Sequence, residues 1–195
     1  MIMPDRQKAV PKETAEKRPY EDWFYWLQTI MSAVLCIVLV FTLVGRLARV
    51  DGDSMNPTLE DGELMLVWSL GYQPKAGDIV ILNKTTSEAL EGEAIVKRII
   101  ATAGQTVDID YVSGTVYVDG VPLEEEYILE ELYRPGNPYY QQTHFEVPED
   151  SVFVLGDNRN NSKDSRHSGV GCIHQGYLLG RAAVVIWPLS HIRIL

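Results

Sequence analysis

The segment VDGDSMNPTLEDGE (50–63) combines Gly, Asp, Asn and Pro with a single serine, Ser54, and an apolar run follows it. Residues of these types form turns, so we expect an exposed loop here. A serine hydroxyl is a weak nucleophile and needs a neighbouring base to take up its proton. Ser54 alone is equally well explained as a turn residue, so its chemistry depends on a base elsewhere in the chain.

Lysine is the base that the sequence offers. Lys97 lies among apolar residues in AIVKRII (94–100), where burial disfavours the ammonium form and lowers the pKa of the amine towards neutrality. Strand alternation does not decide whether Lys97 or Arg98 points inward, but a guanidinium stays protonated and cannot act as base. The competing interpretation is an edge-strand lysine that reaches solvent. The four histidines suggest no Ser-His-Asp triad, although triads assemble in space and sequence order does not exclude one.

A third segment, GDNRNNSKDSR (156–166), directly follows the apolar run SVFVL. Asp164 and Arg166 can pair, and Ser162 can hydrogen-bond a neighbour, so this loop is able to support a site formed by other segments. The alternative interpretation is a solvated surface loop.

Composition excludes several classes of function. The formal net charge of −10 lies entirely after residue 45 and repels phosphate backbones, which makes nucleic acid a poor partner. Cys36 falls in an apolar stretch and Cys172 near the other end, so a structural disulfide is not expected. No CxxC or spaced His/Cys cluster is present, and we predict neither a metal nor a cofactor.

The run WFYWLQTIMSAVLCIVLVFTLVG (23–45) carries no charge and is long enough to cross a hydrocarbon layer of about 30 Å as a helix. Aromatic residues cluster at its start, as they do at the lipid headgroup level. A cleaved signal peptide and a buried core helix are the alternatives. Five Lys and Arg residues precede the run, against only Arg46 and Arg49 shortly after it. We therefore predict a cytoplasmic tail (1–22), a single transmembrane helix (23–45) in the cell membrane, and an extracytoplasmic domain (46–195).

After this run the sequence consists of short β-type runs separated by turn residues, which predicts one β-rich domain. The residues 111–114 join two of these runs in a hairpin, and EEEYILEEL (124–132) has the composition of a short helix. The chain as a whole is thus expected to be mostly β behind one N-terminal helix. The predicted strands are LMLVW (64–68), DIVIL (78–82), AIVKRII (94–100), TVDID (106–110), TVYVDG (115–120), SVFVLG (151–156) and AAVVIW (182–187).

Several segments resemble, in the same order, the sequence boxes of the bacterial type I signal peptidases. They are GDSMNPTL (52–59), GDIV (77–80), VKRI (96–99) and GDNRNNSKDSR with LLGRA (178–182). The resemblance covers residues 50–187, and the short body is similar to the compact enzymes of Gram-positive bacteria. It implies a β-rich catalytic domain with these roles: Ser54 as nucleophile, Lys97 as general base, Ser162 as a hydroxyl that orients the lysine, Asp164 with Arg166 as a supporting pair, and Met55 lining the site.

The resemblance also implies the partners of the protein, and the sequence differs from the family pattern at two places. The partners would be signal peptides of exported preproteins, with small residues at positions −1 and −3, and the lipid bilayer. Some family members carry a serine that helps to bind the oxyanion where this chain has Gly52, so the oxyanion hole would depend on backbone N–H groups, including that of Ser54. The box around Lys97 continues as Ala101-Thr102-Ala103-Gly104 and keeps only the last glycine of the family's usual turn.

Three other functions are compatible with parts of the sequence. A self-cleaving protease with Ser-Lys chemistry would be cytosolic, against which the apolar run argues. A thiol enzyme of sortase type would use Cys172 with a histidine such as His174. A catalytically silent, membrane-tethered β-module that binds peptides would leave Ser54 and Lys97 with structural roles only. The sequence indicates neither the oligomeric state nor the strand edge that would bind a substrate.

Overall fold

A computed structural model describes residues 19–43, 45–133 and 136–195. The chain divides into two compact units, residues 1–39 and 40–195. In the described part of the chain there are one α-helix and twelve β-strands. Their bounds are α1 (Pro19–Leu43), β1 (Gly45–Arg49), β2 (Leu64–Trp68), β3 (Ile79–Leu82), β4 (Ile95–Thr102), β5 (Thr106–Asp110), β6 (Thr115–Val118), β7 (Val121–Pro122), β8 (His144–Glu146), β9 (Ser151–Leu155), β10 (Ile173–His174), β11 (Leu178–Trp187) and β12 (Arg193–Ile194).

Helix α1 contains the window Asp22–Leu39, whose mean hydropathy is 1.5 and of which no part is buried. It is long and apolar enough to cross a membrane. The helix begins at Pro19 rather than Trp23, since a proline in the first turn loses no helical hydrogen bond. At the other end Gly45 belongs to β1 and not to the helix. The predicted tail otherwise lies outside the described residues.

Eight strands form one antiparallel sheet in the order β1-β2-β11-β3-β4-β9-β10, and β12 pairs with β11. The prediction of a mostly β chain behind one apolar helix is confirmed. Each of the seven predicted runs overlaps a strand. The strands that the sequence did not indicate are β1, β7, β8, β10 and β12, and all of these except β1 are only two or three residues long.

One row of paired residues runs across the large sheet from the first residue of β1 to the predicted base. Gly45 pairs with Trp68, and Trp68 pairs with Arg181. Arg181 pairs with Val80, and Val80 pairs with Lys97. Neighbouring strands lie about 4.8 Å apart, so four steps put Lys97 within about 20 Å of Gly45.

The remaining strands form a second antiparallel sheet in the order β7-β6-β5-β8. Its apolar side packs against residues of β4 and β9, including Phe153 and Leu155. A separate apolar cluster lies between β2, β3 and β11 and contains Met55 and Leu59 from the segment 50–63. The serine-bearing loop is therefore fastened to the core of the large sheet.

The helix expected at 124–132 is wrong, because this segment consists of turns and extended chain. Its side chains are used in tertiary contacts instead. Glu125 pairs with Arg159, and the Tyr127 ring lies under the Arg98 guanidinium, 4.0 Å from its carbon. Such contacts override a local helix preference, which is worth only a few tenths of a kcal/mol per residue, about 0.5 on average.

Candidate active site

The nucleophile loop, defined here as residues 50–63, connects β1 to β2. Two backbone hydrogen bonds close its base, from Val50 N to Glu63 O at 2.8 Å and from Gly62 N to Val50 O at 3.0 Å. Inside it, Met55 and Leu59 are 1% and 0% exposed and pack in the core. These two apolar anchors leave Ser54 partly accessible at the top of the loop.

Lys97 lies in β4, between β3 and β9, and not at a sheet edge. Its side chain is 2% exposed, so the interpretation as a solvent-reaching edge lysine is wrong. Its Nζ lies 2.6 Å from Ser54 Oγ and 2.7 Å from the carbonyl oxygen of Val96. The structure thus brings the amine and the hydroxyl of the two predicted residues into hydrogen-bond contact.

Burial lowers the pKa of Lys97 from 10.5 to about 8. The carboxylates of Asp164 and Asp157 act in the opposite direction because they favour the ammonium form, and Arg166 adds a smaller lowering effect. With this pKa, about one amine in ten is neutral at pH 7. A neutral amine 2.6 Å from a serine hydroxyl can accept its proton.

The polar segment 156–166 is not a solvated loop, since most of its charged side chains are buried. It is fastened to the nucleophile loop by three hydrogen bonds. Asn158 donates from its backbone N–H to Ser54 O and from Nδ2 to Asp53 O, both at 3.1 Å. Thr58 Oγ1 donates to Asp157 Oδ2 at 2.5 Å. Ser54 and its loop are therefore held in place by residues about a hundred positions away in sequence.

Asp164 and Arg166 form the predicted pair and are almost fully buried. Arg166 Nε and Nη2 each donate to one carboxylate oxygen of Asp164 at 2.8 Å, and Gly156 N donates to the same group at 3.1 Å. Burial by itself raises the pKa of Asp164, but Arg166 and the hydrogen bonds bring it below its ordinary value. A permanent negative charge thus faces the amine of Lys97, whose pKa it raises.

Ser162 packs beside the nucleophile loop, against Gly156. Its side chain lies against the α carbon of Gly156, which is also in close contact with Ser54 O. Among the described residues, Lys97 has hydrogen bonds to Ser54 and Val96 and none to Ser162. The role of Ser162 as an orienting hydroxyl stays a prediction.

Two other predicted residues, Met55 and Gly52, lie in the same loop as Ser54, and their roles in the site stay predictions. Met55 packs in the core and is not among the residues that line the cavity at Ser54. Gly52 adopts a φ of +81°, and its N–H already donates to Asp61 Oδ1 at 2.9 Å. The Ser54 N–H donates no hydrogen bond within the described part of the chain, which leaves it as the available donor for an oxyanion.

Sequence reasoning missed a layer of ion pairs around the site. Arg98 binds Asp157 through Nε at 2.8 Å and Nη2 at 2.6 Å, and Arg159 binds Glu125 through both terminal nitrogens. The pair of Arg98 and Asp157 could have been predicted from the sequence, because an aspartate that follows a buried strand needs a partner for its charge. Nothing in the sequence marked Glu125 as the partner of Arg159.

A cavity of about 250 Å³ opens beside Ser54. Its walls come from the segment before β4, from β4 itself and from the polar loop. The lining residues are Ser54, Ala89, Leu90, Glu91, Glu93, Ile95, Lys97 and Lys163.

Cys172 has none of the features of a reactive thiol. It is half-buried, packs beside the core between the two sheets, and its Sγ lies 3.9 Å from Glu146 O. Burial raises the pKa of its thiol, which disfavours the thiolate needed for attack. His174 donates no proton to it, as its Nδ1 instead accepts from Gly176 N at 3.0 Å. Among the described residues no group of three or more His, Cys, Asp or Glu has metal-binding geometry.

Comparison with known proteins gives consistent matches. The family model "Signal peptidase, peptidase S26" matches residues 23–187. A probable signal peptidase I-2 of Synechocystis sp. is 33% identical over 95% of this chain and 84% of its own length. A signal peptidase I of Bacillus amyloliquefaciens is 34% identical over 95% and 98%, and signal peptidase I T of Bacillus subtilis is 32% identical over 96% and 97%.

Among solved structures, a signal peptidase I from Enterococcus faecalis V583 is 29% identical, with a TM-score of 0.45, and covers 57% of this chain and 98% of its own length. The family model spans most of the chain, and the Bacillus relatives match over nearly their whole lengths. The chain therefore belongs to the signal peptidase family, peptidase S26, and is a serine peptidase.

Proposed function

We propose that this protein is a membrane-anchored endopeptidase that removes N-terminal signal peptides from exported preproteins, with Ser54 as nucleophile and Lys97 as general base. One observation carries the proposal. A buried lysine whose pKa is lowered to about 8 lies 2.6 Å from the hydroxyl of Ser54. The names and functions of the relatives support the choice of substrate.

In the proposed cycle, neutral Lys97 takes the proton of Ser54 as Oγ attacks the scissile carbonyl carbon. The N–H of Ser54 stabilises the oxyanion of the tetrahedral intermediate. The Lys97 ammonium then protonates the departing amine, and an ester forms between Ser54 and the signal peptide. Lys97, neutral again, activates a water molecule that hydrolyses this ester and restores the free serine.

Membrane anchoring by α1 supports the same function. A preprotein held in the same bilayer by its own signal peptide meets the enzyme at a raised effective concentration. The row of paired residues across the sheet keeps Lys97 within about 20 Å of Gly45, the residue of β1 that follows α1 in the chain. We propose that the N-terminus is cytoplasmic and that the β-rich domain is outside.

The cavity beside Ser54 supports a preference for small side chains. It measures about 250 Å³, and its apolar walls include Ala89, Leu90 and Ile95. The short side chain of Ala89 and the aliphatic side chains of Leu90 and Ile95 offer apolar contacts that suit a small apolar side chain next to Ser54 and Lys97. We propose that it accepts the small residues at positions −1 and −3 of the signal peptide.

The test is cleavage of a preprotein with an Ala-X-Ala site by the detergent-solubilised full chain. Ser54→Ala and Lys97→Ala are each expected to abolish cleavage while circular dichroism stays that of the parent. The matched controls are Ser113→Ala and Lys75→Ala, because both side chains are exposed and outside the site. Full activity of either site variant would make the dyad wrong, and an inactive parent would leave the non-enzymatic β-module as the better function.

A further inference from the structure

The C-terminal segment 188–195 reaches back to the nucleophile loop through two side chains, His191 and Arg193 of β12, and Arg193 makes most of the contacts. Its Nη1 and Nη2 donate to Oε1 and Oε2 of Glu63, both at 2.7 Å. Nη2 also donates to the carbonyl oxygen of Thr58 at 2.6 Å. One guanidinium thus holds the loop at two points, its last residue and a residue close to the nucleophile.

The carboxylate of Glu63 is buried in this contact and remains ionised. Its carboxylate belongs to a residue that is 2% exposed, and it also accepts from Glu60 N at 3.2 Å and contacts His191 Nδ1 at 3.0 Å. Burial by itself raises the pKa of Glu63, but Arg193 and the other hydrogen bonds keep it below its ordinary value. The carboxylate therefore stays ionised, and its pair with Arg193 is maintained at neutral pH.

The backbone that carries Arg193 is itself paired with the large sheet. Arg193 pairs with Val185 of β11, Ile194 pairs with Val184, and Leu195 N donates to Ala183 O at 3.0 Å. On its other side the loop is bound by Asp157 through the hydroxyl of Thr58. Thr58 is thus fixed from two directions, by its hydroxyl and by its carbonyl group.

We propose that Arg193 and Glu63 are positioning residues of the peptidase, which hold the nucleophile loop so that Ser54 Oγ stays in reach of Lys97. The inference rests on the proposed function. The loop has no regular secondary structure, so its geometry depends on such side-chain contacts. Displacement of a reacting group by about 1 Å can cost about a hundredfold in rate.

The experiment compares the full-length parent with the double variant Arg193→Met/Glu63→Met. Removal of both charges avoids an unpaired buried carboxylate, so the thermal midpoint is expected to stay close to that of the parent. The kcat for preprotein cleavage is expected to fall about tenfold to a hundredfold. KM should change less than about twofold because neither residue lines the cavity at Ser54. The midpoint of the pH profile should be unchanged because neither residue is among the charges that shift the Lys97 pKa.

Hydrogen exchange of the loop amides supplies a readout that does not depend on activity. The amides of Leu59 and Gly62, which are bonded within the loop, should exchange faster in the double variant. Arg46→Met, at an exposed position, is the matched control. The proposal is overturned if the folded double variant keeps the parent's kcat, or if only KM changes.

A single substitution decides the matter if the double variant does not fold. Arg193→Lys keeps a positive charge beside Glu63, but an ammonium cannot reproduce the planar fork that bonds both Glu63 and Thr58 O. We expect an intermediate kcat, between the parent and complete loss. A parent-like kcat in this variant would overturn the positioning role. An inactive parent would count against the proposed function and not against the contact between Arg193 and Glu63.

Discussion

The rate of cleavage should rise with pH through the pKa of Lys97. Burial puts this pKa at about 8, compared with the ordinary value of 10.5. The neutral amine is the active form, so about a tenth of the enzyme is active at pH 7 and about nine tenths at pH 9. With the ordinary pKa only about one molecule in three thousand would be active at pH 7. Burial thus accounts for about a three-hundredfold gain in active enzyme.

The assay is kcat/KM against pH from 5.5 to about 10, with a peptide substrate that has no titrating group in that range, since kcat/KM reports the free enzyme. We expect a slope of about one decade per pH unit below pH 7 and a plateau above about pH 9. His144 is the matched control, because Asp108 raises its pKa above the ordinary value of 6.5 and its side chain lies outside the site. His144→Gln should leave the midpoint unchanged.

The outcome is decisive in both directions. A profile that is flat between pH 6 and about 9, or one whose midpoint lies near the ordinary lysine pKa of 10.5, would refute the reasoning that burial makes Lys97 the base. Circular dichroism across the range separates a titration from loss of the fold.

Three further predictions follow from the same contacts. Lys97→Met should be inactive but more stable at pH 7 by about 1–3 kcal/mol, since the unfolded chain binds a proton more tightly than the buried amine does. Urea unfolding should show this advantage in full below about pH 8 and its loss as the pH rises towards 10.5, the ordinary lysine value; an advantage independent of pH would contradict it. Gly156→Ala should cost about 1–3 kcal/mol and most of the activity, because a Cβ there would overlap Ser54 O, whereas Gly136→Ala meets open space and should be neutral in thermal melts and cleavage. Cys172→Ser should cleave as fast as the parent, and the parent should stay active after thiol alkylation; a loss of activity in both would revive the thiol-enzyme hypothesis.

Much of the architecture was determined by local sequence signals. The alternation of apolar and turn residues located seven of the twelve described strands, and the uncharged run located the helix. Strands such as β10 and β12 are only two residues long, and no period can be read from two residues. They exist because β9 and β11 offer free hydrogen-bonding edges, which is a property of the assembled sheet.

For the site, the sequence by itself determined which side chains have suitable chemistry, since a serine in a turn-rich loop and a lysine among apolar residues are local facts. It did not determine whether Lys97 or Arg98 would face the serine, because both faces of the strand are apolar. Only the tertiary structure brought Lys97 Nζ to 2.6 Å from Ser54 Oγ and surrounded it with enough protein to lower its pKa. It also decided that Arg193 holds Glu63, a contact across 130 positions of sequence. Proximity and burial are collective properties of the folded chain, and for that reason no local pattern encodes them.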